Sequence, residues 1–164
     1  MLSQSSDIDW ARTTLAEFMA SQGKKQTRQR QAIVESFFSA EGHLSLQDLL
    51  GVVQQSDPGV GFATVYRTMK MLVEAGVAKE RDFGADQALY ELVHPNEHHD
   101  HLICSTCGLI FEFEDEVIES RQEEIAQALG LTITGHRHVL YGEPLGSGTG
   151  ACKVEGCQKG KEGT

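Results

Sequence analysis

No long apolar run occurs anywhere in this chain. The longest stretches of apolar side chains are only a few residues, far short of the roughly 20 that a membrane-spanning helix needs. The opening, MLSQSSDIDW, has neither the basic start nor the apolar run of a signal peptide, so the expectation is a cytoplasmic protein with no membrane partner. Internal repeats are absent, and low complexity is confined to the glycine-rich GEPLGSGTG at 142–150. Two signatures of hydrolysis are missing as well: there is no HExxH and no nucleophile elbow. Positive charge is in deficit, with 14 Lys and Arg against 24 Asp and Glu and a net charge of −10. Taken alone, that total speaks against nucleic acid.

The distribution changes the picture. Residues 1–84 carry 9 basic and 10 acidic side chains, while residues 85–164 carry 5 and 14. Lys24, Lys25, Arg28 and Arg30 cluster with no acid among them, and a local basic patch matters more for phosphate contact than the total does. The acidic half is suited to metal cations. At 164 residues and 40% hydrophobic content, the chain is one large domain or two small ones.

Apolar spacing predicts a helix over 8–21, with Ile8, Leu15, Phe18 and Met19 on one face and Gly23 as its stop. A second fits Thr27 to Ser39 around Ile33, Val34 and Phe37. A third starts at Ser45, with Asp48 completing a capping box, and Asp57-Pro58-Gly59 is a turn. The fourth, GFATVYRTMKMLVEAG, turns Val65, Met69, Leu72 and Val73 to the core and sets Ala63, Tyr66, Arg67 and Lys70 on another side, ending at Gly76. VAKERDF and ALYELV, separated by Gly84-Ala85-Asp86-Gln87, read as a hairpin. Helices followed by a hairpin make a winged helix-turn-helix, and the exposed Tyr-Arg-x-x-Lys face and the basic cluster favour DNA over a helical domain without a ligand. Past Val93 the texture changes. HPNEHHDHLIC, GLIFEFE and LTITGHRHVLY read as strands, and DEVIESRQEEIAQALG as a helix with Val117, Ile118, Ile125 and Leu129 apolar. The fold class is therefore α+β: a winged-helix domain over 1–90, a hinge over 91–97, and a small α/β domain over 98–164.

The run HHDHLICSTCGLIFEFE, 98–114, holds more ligating side chains than one metal needs. On a strand, side chains alternate between faces. His99 and His101 then point one way, His98 and Asp100 the other. Cys104 and Cys107 form a third place, a C-x-x-C bite for tetrahedral zinc, with Cys152 and Cys157 as the matching pair. Four thiolates leave no open position, so such a zinc is structural. The redox alternative needs a helix N-terminus to lower the thiol pKa, whereas this motif follows a strand and continues into Gly108. Imidazole with carboxylate suits Fe(II), Mn(II) or Zn(II). Glu112, Glu114, Asp115, Glu116 and Glu119 lie downstream, and Asp115 and Glu116 fit a solvated helix start.

GFATVYRTMKMLVEAG, HHDHLICSTCG and LYG followed by a second Cys pair together resemble the ferric uptake regulator (Fur) family, over almost the whole chain from Leu15 to Cys157. The resemblance implies a metal-dependent transcriptional repressor: an N-terminal winged helix joined by a hinge to a dimerisation domain, with a divalent metal at the hinge holding the dimer in a DNA-binding shape. It implies a regulatory set of His43, Glu91, His99, His101 and Glu112 and a second set of His98, Asp100, Glu119 and His136. It also implies a structural zinc on Cys104, Cys107, Cys152 and Cys157, and DNA contacts from Lys25, Tyr66 and Arg67. Patterning alone would not single out His43. Relative to the family pattern, LVHPNE is about one residue longer, which brings in His94 and Glu97 as competing ligands, and the glycine-rich stretch displaces the second Cys pair from LYG.

The resemblance further implies an operator of double-stranded DNA, an A/T-rich inverted repeat, bound by a homodimer or by a tetramer. The family's zinc sensors more often place a thiolate in the regulatory set, and no spare Cys exists here. Its peroxide sensors favour Asp where this chain has Glu91 and Glu112. Fe(II) is therefore the expected regulatory ion, with Mn(II) as competitor. A metallohydrolase or a metal buffer would leave the helix at 62–75 without a purpose, so no enzymatic activity is expected.

Overall fold

The structure is a computed structural model that describes residues 3–40, 42–83, 87–93 and 98–145. The chain divides into two compact units, Met1–Asn96 and Glu97–Thr164.

In the first unit, α1 (Ser3–Ser21) starts earlier than the apolar spacing indicates, because its first residues are polar and carry no period. α2 (Arg28–Phe38) is capped by Thr27, whose hydroxyl accepts from the Arg30 amide. Two residues, Leu44–Ser45, form β1 before α3 (Leu46–Ser56). Ser45 is also the N-cap of α3, and the expected capping box is present: the Asp48 amide donates to the Ser45 hydroxyl, and the Ser45 amide donates to Asp48. α4 (Phe62–Glu74) closes in a Schellman turn, with Gly76 at φ +76° and its amide bonded to the Val73 carbonyl, and the Val77 amide bonded to the Leu72 carbonyl. α2, α3 and α4 pack around Ile33, Leu49, Val53, Val65, Met69 and Leu72, all essentially inaccessible to water. Val73 sits at the edge of this core, partly buried.

β2 (Ala78–Arg81) and β3 (Leu89–Leu92) pair antiparallel, and β1 adds to the far side of β3 to give the order β1-β3-β2. β1 was not expected, since two residues show no alternation. Tyr90 lies opposite Glu80. Burial, and then the adjacent Glu80 carboxylate, pushes its phenol up to about 12. Three helices with a β2–β3 wing make the winged helix-turn-helix. Of the turn read between the wing strands, Gly84, Ala85 and Asp86 lie outside the described residues.

In the second unit, β4 (Asp100–Cys104) is central, with β5 (Ile110–Phe113) antiparallel on one side and β6 (Val139–Gly142) parallel on the other. α5 (Glu116–Ala128) is the crossover. Asp115 caps it, accepting from the Val117 and Ile118 amides, which places an acid where the helix dipole favours one. The strand expected over LTITGHRHVLY is much shorter than its apolar pattern. The strand pairs with β4 only from Val139, with one further bond from the His101 amide to the His138 carbonyl, and a strand needs a partner for its backbone groups. The apolar positions of α5 behave unlike those of α4: none is buried in the single chain, and Val117 and Leu129 are 77% and 72% exposed.

Candidate metal centres

Strand register explains which donors meet. In the first unit, β1 and β3 set Leu44 opposite Tyr90, and carrying that antiparallel register back one residue sets His43 opposite Glu91. Their side chains are each 6% exposed, with His43 Nε2 2.6 Å from Glu91 Oε2. The other Glu91 oxygen, Oε1, accepts from Arg81 Nε at 2.9 Å and lies 2.7 Å from Arg81 Nη2. Phe83 stands edge-on to the His43 ring at 5.5 Å. One oxygen of this buried carboxylate is thus held by Arg81, while the other faces His43. Arg81 had not been singled out from the sequence. Its signal lay in the hairpin register, which makes residue 81 the diagonal neighbour of residue 91 across β2 and β3.

In the second unit, the sheet splits the HHDH run as alternation requires, although β4 begins only at Asp100. His99 and His101 stack edge to face, ring centroids 5.1 Å apart. His101 pairs with Glu112 across β5, and His99 Nε2 lies 3.9 Å from Glu112 Oε1. These three donors share one face.

The opposite face carries the other set. The register that sets Val139 beside His101, carried back, sets His138 beside Asp100 and His136 beside His98. The rings of His98 and His136 are 4.5 Å apart. Asp100 Oδ1 is 3.4 Å from His136 Nε2 and 3.6 Å from His98 Nε2. Glu119, on the first turn of α5, brings Oε1 to 3.4 Å from His98 and 3.5 Å from His136. One ligand atom from each of His98, Asp100, Glu119 and His136 lies within 4.8 Å of all the others. Two imidazoles and two carboxylates at that spacing fit one borderline divalent ion. Asp100 is 3% exposed, and a buried carboxylate ringed by imidazoles is what such an ion satisfies. His138 was not anticipated: its Nδ1 lies 3.0 Å from Asp100 Oδ2.

Cys104 ends β4, and a turn closed by the Gly108 amide on the Cys104 carbonyl carries Cys107, with Gly108 at φ +79°. That is the strand-to-turn setting expected of a zinc bite. Cys152, Cys157, His94 and Glu97 lie outside the described residues.

On the first unit, Tyr66, Arg67 and Lys70 are exposed along the outer side of α4, as is Ala63. No ion pair among the described residues engages Arg67 or Lys70. Lys25 is exposed too, and its carbonyl accepts from Arg30, while Lys24 is drawn to Glu74 and over the Phe18 ring.

The profile of the Ferric uptake regulator family matches residues 21–141. The chain belongs to this family. It is 36% identical to the ferric uptake regulation protein of Campylobacter jejuni over 144 residues, 87% of this chain and 91% of that one. Among solved structures, the Helicobacter pylori ferric uptake regulator Fur, whose structure reveals three functional metal binding sites, aligns at a TM-score of 0.77 and 26% identity, covering 83% of this chain and 90% of that one. A zinc-bound manganese uptake regulator aligns at 0.66 and 38%, covering 80% and 99%. As a ferric uptake regulator family member, the chain is a metal-responsive transcriptional regulator. The family consists of transcription factors that bind DNA as dimers. No helix among the described residues is long and apolar enough to cross a membrane.

Proposed function

We propose that this chain is a cytoplasmic, non-enzymatic repressor of iron-uptake genes that binds an A/T-rich inverted repeat as a homodimer when its regulatory metal set is loaded. The winged helix over 1–90 reads DNA, residues 91–97 are the hinge, and 98–164 is the dimerisation domain. The observation that carries the reading is the division of His98–His101 into two donor sets on opposite faces of one sheet, in a chain that also carries a winged helix whose α4 presents uncovered cations.

His43 and Glu91 come from the first unit, and His99, His101 and Glu112 from the second. Bound there, a divalent ion supplies charge and a directional coordination shell. Donors drawn from both units restrict the angle between them, and the equilibrium shifts only by the difference in affinity between the two arrangements. In a symmetric dimer that angle fixes the separation of two recognition helices, and half-sites on DNA have a fixed spacing. Arg67 and Lys25 contact phosphate or groove, and Tyr66 packs on a thymine methyl. His98, Asp100, Glu119 and His136 hold a second ion. Cys104, Cys107, Cys152 and Cys157 hold a structural zinc.

Fe(II) is the regulatory ion on this reading, because Glu91 and Glu112 supply oxygen and no thiolate joins them. Mn(II) is the second reading, favoured by the 38% identity to a manganese uptake regulator. Fluorescence anisotropy on an inverted-repeat duplex tests both. Protein with anaerobic Fe(II) or Mn(II) is expected to bind at least tenfold more tightly than chelated protein, and the double variant His99→Ala, His101→Ala to lose that gain. Equal affinity with and without metal would remove the switch. A gain with Mn(II) that Fe(II) does not match at equal free concentration would select the manganese reading.

A further inference from the structure

Asp100 uses its two oxygens differently. Oδ1 faces the converging donors, 3.4 Å from His136 and 3.6 Å from His98. Oδ2 is turned away from them and lies 3.0 Å from His138 Nδ1. An ionised carboxylate only accepts, so the imidazole donates through Nδ1–H. His138 is itself well placed. Its carbonyl accepts from the His101 amide, continuing the β4–β6 ladder by one step, and Phe113 stands edge-on to its ring at 5.9 Å. Phe113 lies directly opposite Asp100 across β5. Backbone pairing on one side and an aromatic wall on the other thus hold the imidazole against one oxygen of one carboxylate.

We propose that His138 is a positioning residue of the second metal set: by occupying Oδ2 it confines Asp100 to one-oxygen ligation through Oδ1. The inference rests on the reading that His98, Asp100, Glu119 and His136 hold an ion. Partners of metal ligands fix ligand orientation, and their loss typically costs about 10- to 100-fold in affinity. Without His138, the Asp100 carboxylate is free to rotate, and one of its oxygens loses its donor.

The test is Mn(II) titration by calorimetry of the full-length, zinc-loaded protein stripped of other metals. Wild type is compared with His138→Leu, His138→Asn and His136→Ala. Asn places an amide N–H near the position of the imidazole Nδ1 and keeps the bond, whereas Leu fills similar space without a donor. The expected result is a binding event lost in His136→Ala, weakened about tenfold or more in His138→Leu, and restored to within a few-fold of wild type in His138→Asn. Thermal unfolding of the metal-stripped forms reports separately on folding, and the Leu and Asn variants are expected to melt together. If His136→Ala loses no event, the second set holds no ion and the underlying reading fails. If that event is lost but His138→Leu binds like wild type, the set stands and the positioning role is wrong. Equal weakening in the Leu and Asn variants also overturns it, because the hydrogen bond would then contribute nothing.

Discussion

Glu91 and Glu35 both carry an arginine, and burial decides what each pair contributes. Arg81 meets Glu91 where the glutamate side chain is 6% exposed, with His43 on its other oxygen. Arg12 meets Glu35 at 2.6 Å, but both side chains are about half exposed. Removing a donor from a buried carboxylate leaves its desolvation uncompensated, at about 1–3 kcal/mol, whereas an exposed pair contributes about 0.2–1 kcal/mol. Arg81→Met is therefore expected to lower the urea midpoint of the metal-stripped protein clearly more than Arg12→Met, with the slope unchanged in both. Equal shifts would mean that water reaches Glu91 as freely as Glu35. The same residues show how far the sequence could be read. Alternation alone separated His99 and His101 from His98 and Asp100, because a period of two survives small irregularities before the strand. Arg81 and His138 were invisible to it. Arg81 meets Glu91 across the wing hairpin and His138 meets Asp100 from 38 residues away, and strand register makes each pair neighbours.

Among the elements, the helices of the first unit were legible because two signals coincide in each: an apolar period and chemistry at its ends. Thr27, Ser45 and Gly76 all act as their residue types suggest. β1 was illegible because two residues have no period, and β6 was overextended because an apolar pattern does not say where a partner strand begins. Ser45 carries a double duty that makes it a sharp probe. It pairs with Leu89 in the ladder and caps α3 through its hydroxyl, which also donates to Asp48 at 2.6 Å. The ladder uses backbone alone, so Ser45→Ala keeps β1 and removes the cap together with the hydroxyl's bond to Asp48. The expected loss is about 1 kcal/mol, read as a fall in the unfolding midpoint. Because Ser45 is 1% exposed, Ser45→Asn meets a space limit as well and is expected to rescue poorly despite its good capping chemistry. Full rescue by Asn would show that the site has room the burial does not suggest.

For the molecule as a whole, one feature among the described residues that a single chain leaves unexplained is the apolar side of α5. Ile125 and Leu129 are 49% and 72% exposed and Leu131, just past the helix, 64%. In the first unit, by contrast, Leu15, Ile33, Leu49, Leu50 and Leu72 on the helices are buried. A soluble chain rarely leaves such a row in water unless a partner covers it, and the family's regulators are dimers. If this row is the seam, Ile125→Glu with Leu129→Glu is expected to convert the protein to monomers in sedimentation equilibrium. The second metal set sits at the other end of α5, where Glu119 lies on the first turn, so its calorimetric binding event is expected to persist. DNA affinity is expected to fall by about 100-fold or more, because linkage within a dimer presents the second half-site at an effective concentration in the millimolar range. The salt dependence should also become shallower, since each monomer neutralises only its own phosphates. A variant that remains dimeric would place the seam elsewhere. A variant that becomes monomeric yet binds the inverted repeat as tightly as wild type would show that the two half-sites are read independently, and that a metal-set angle between units has no spacing to control.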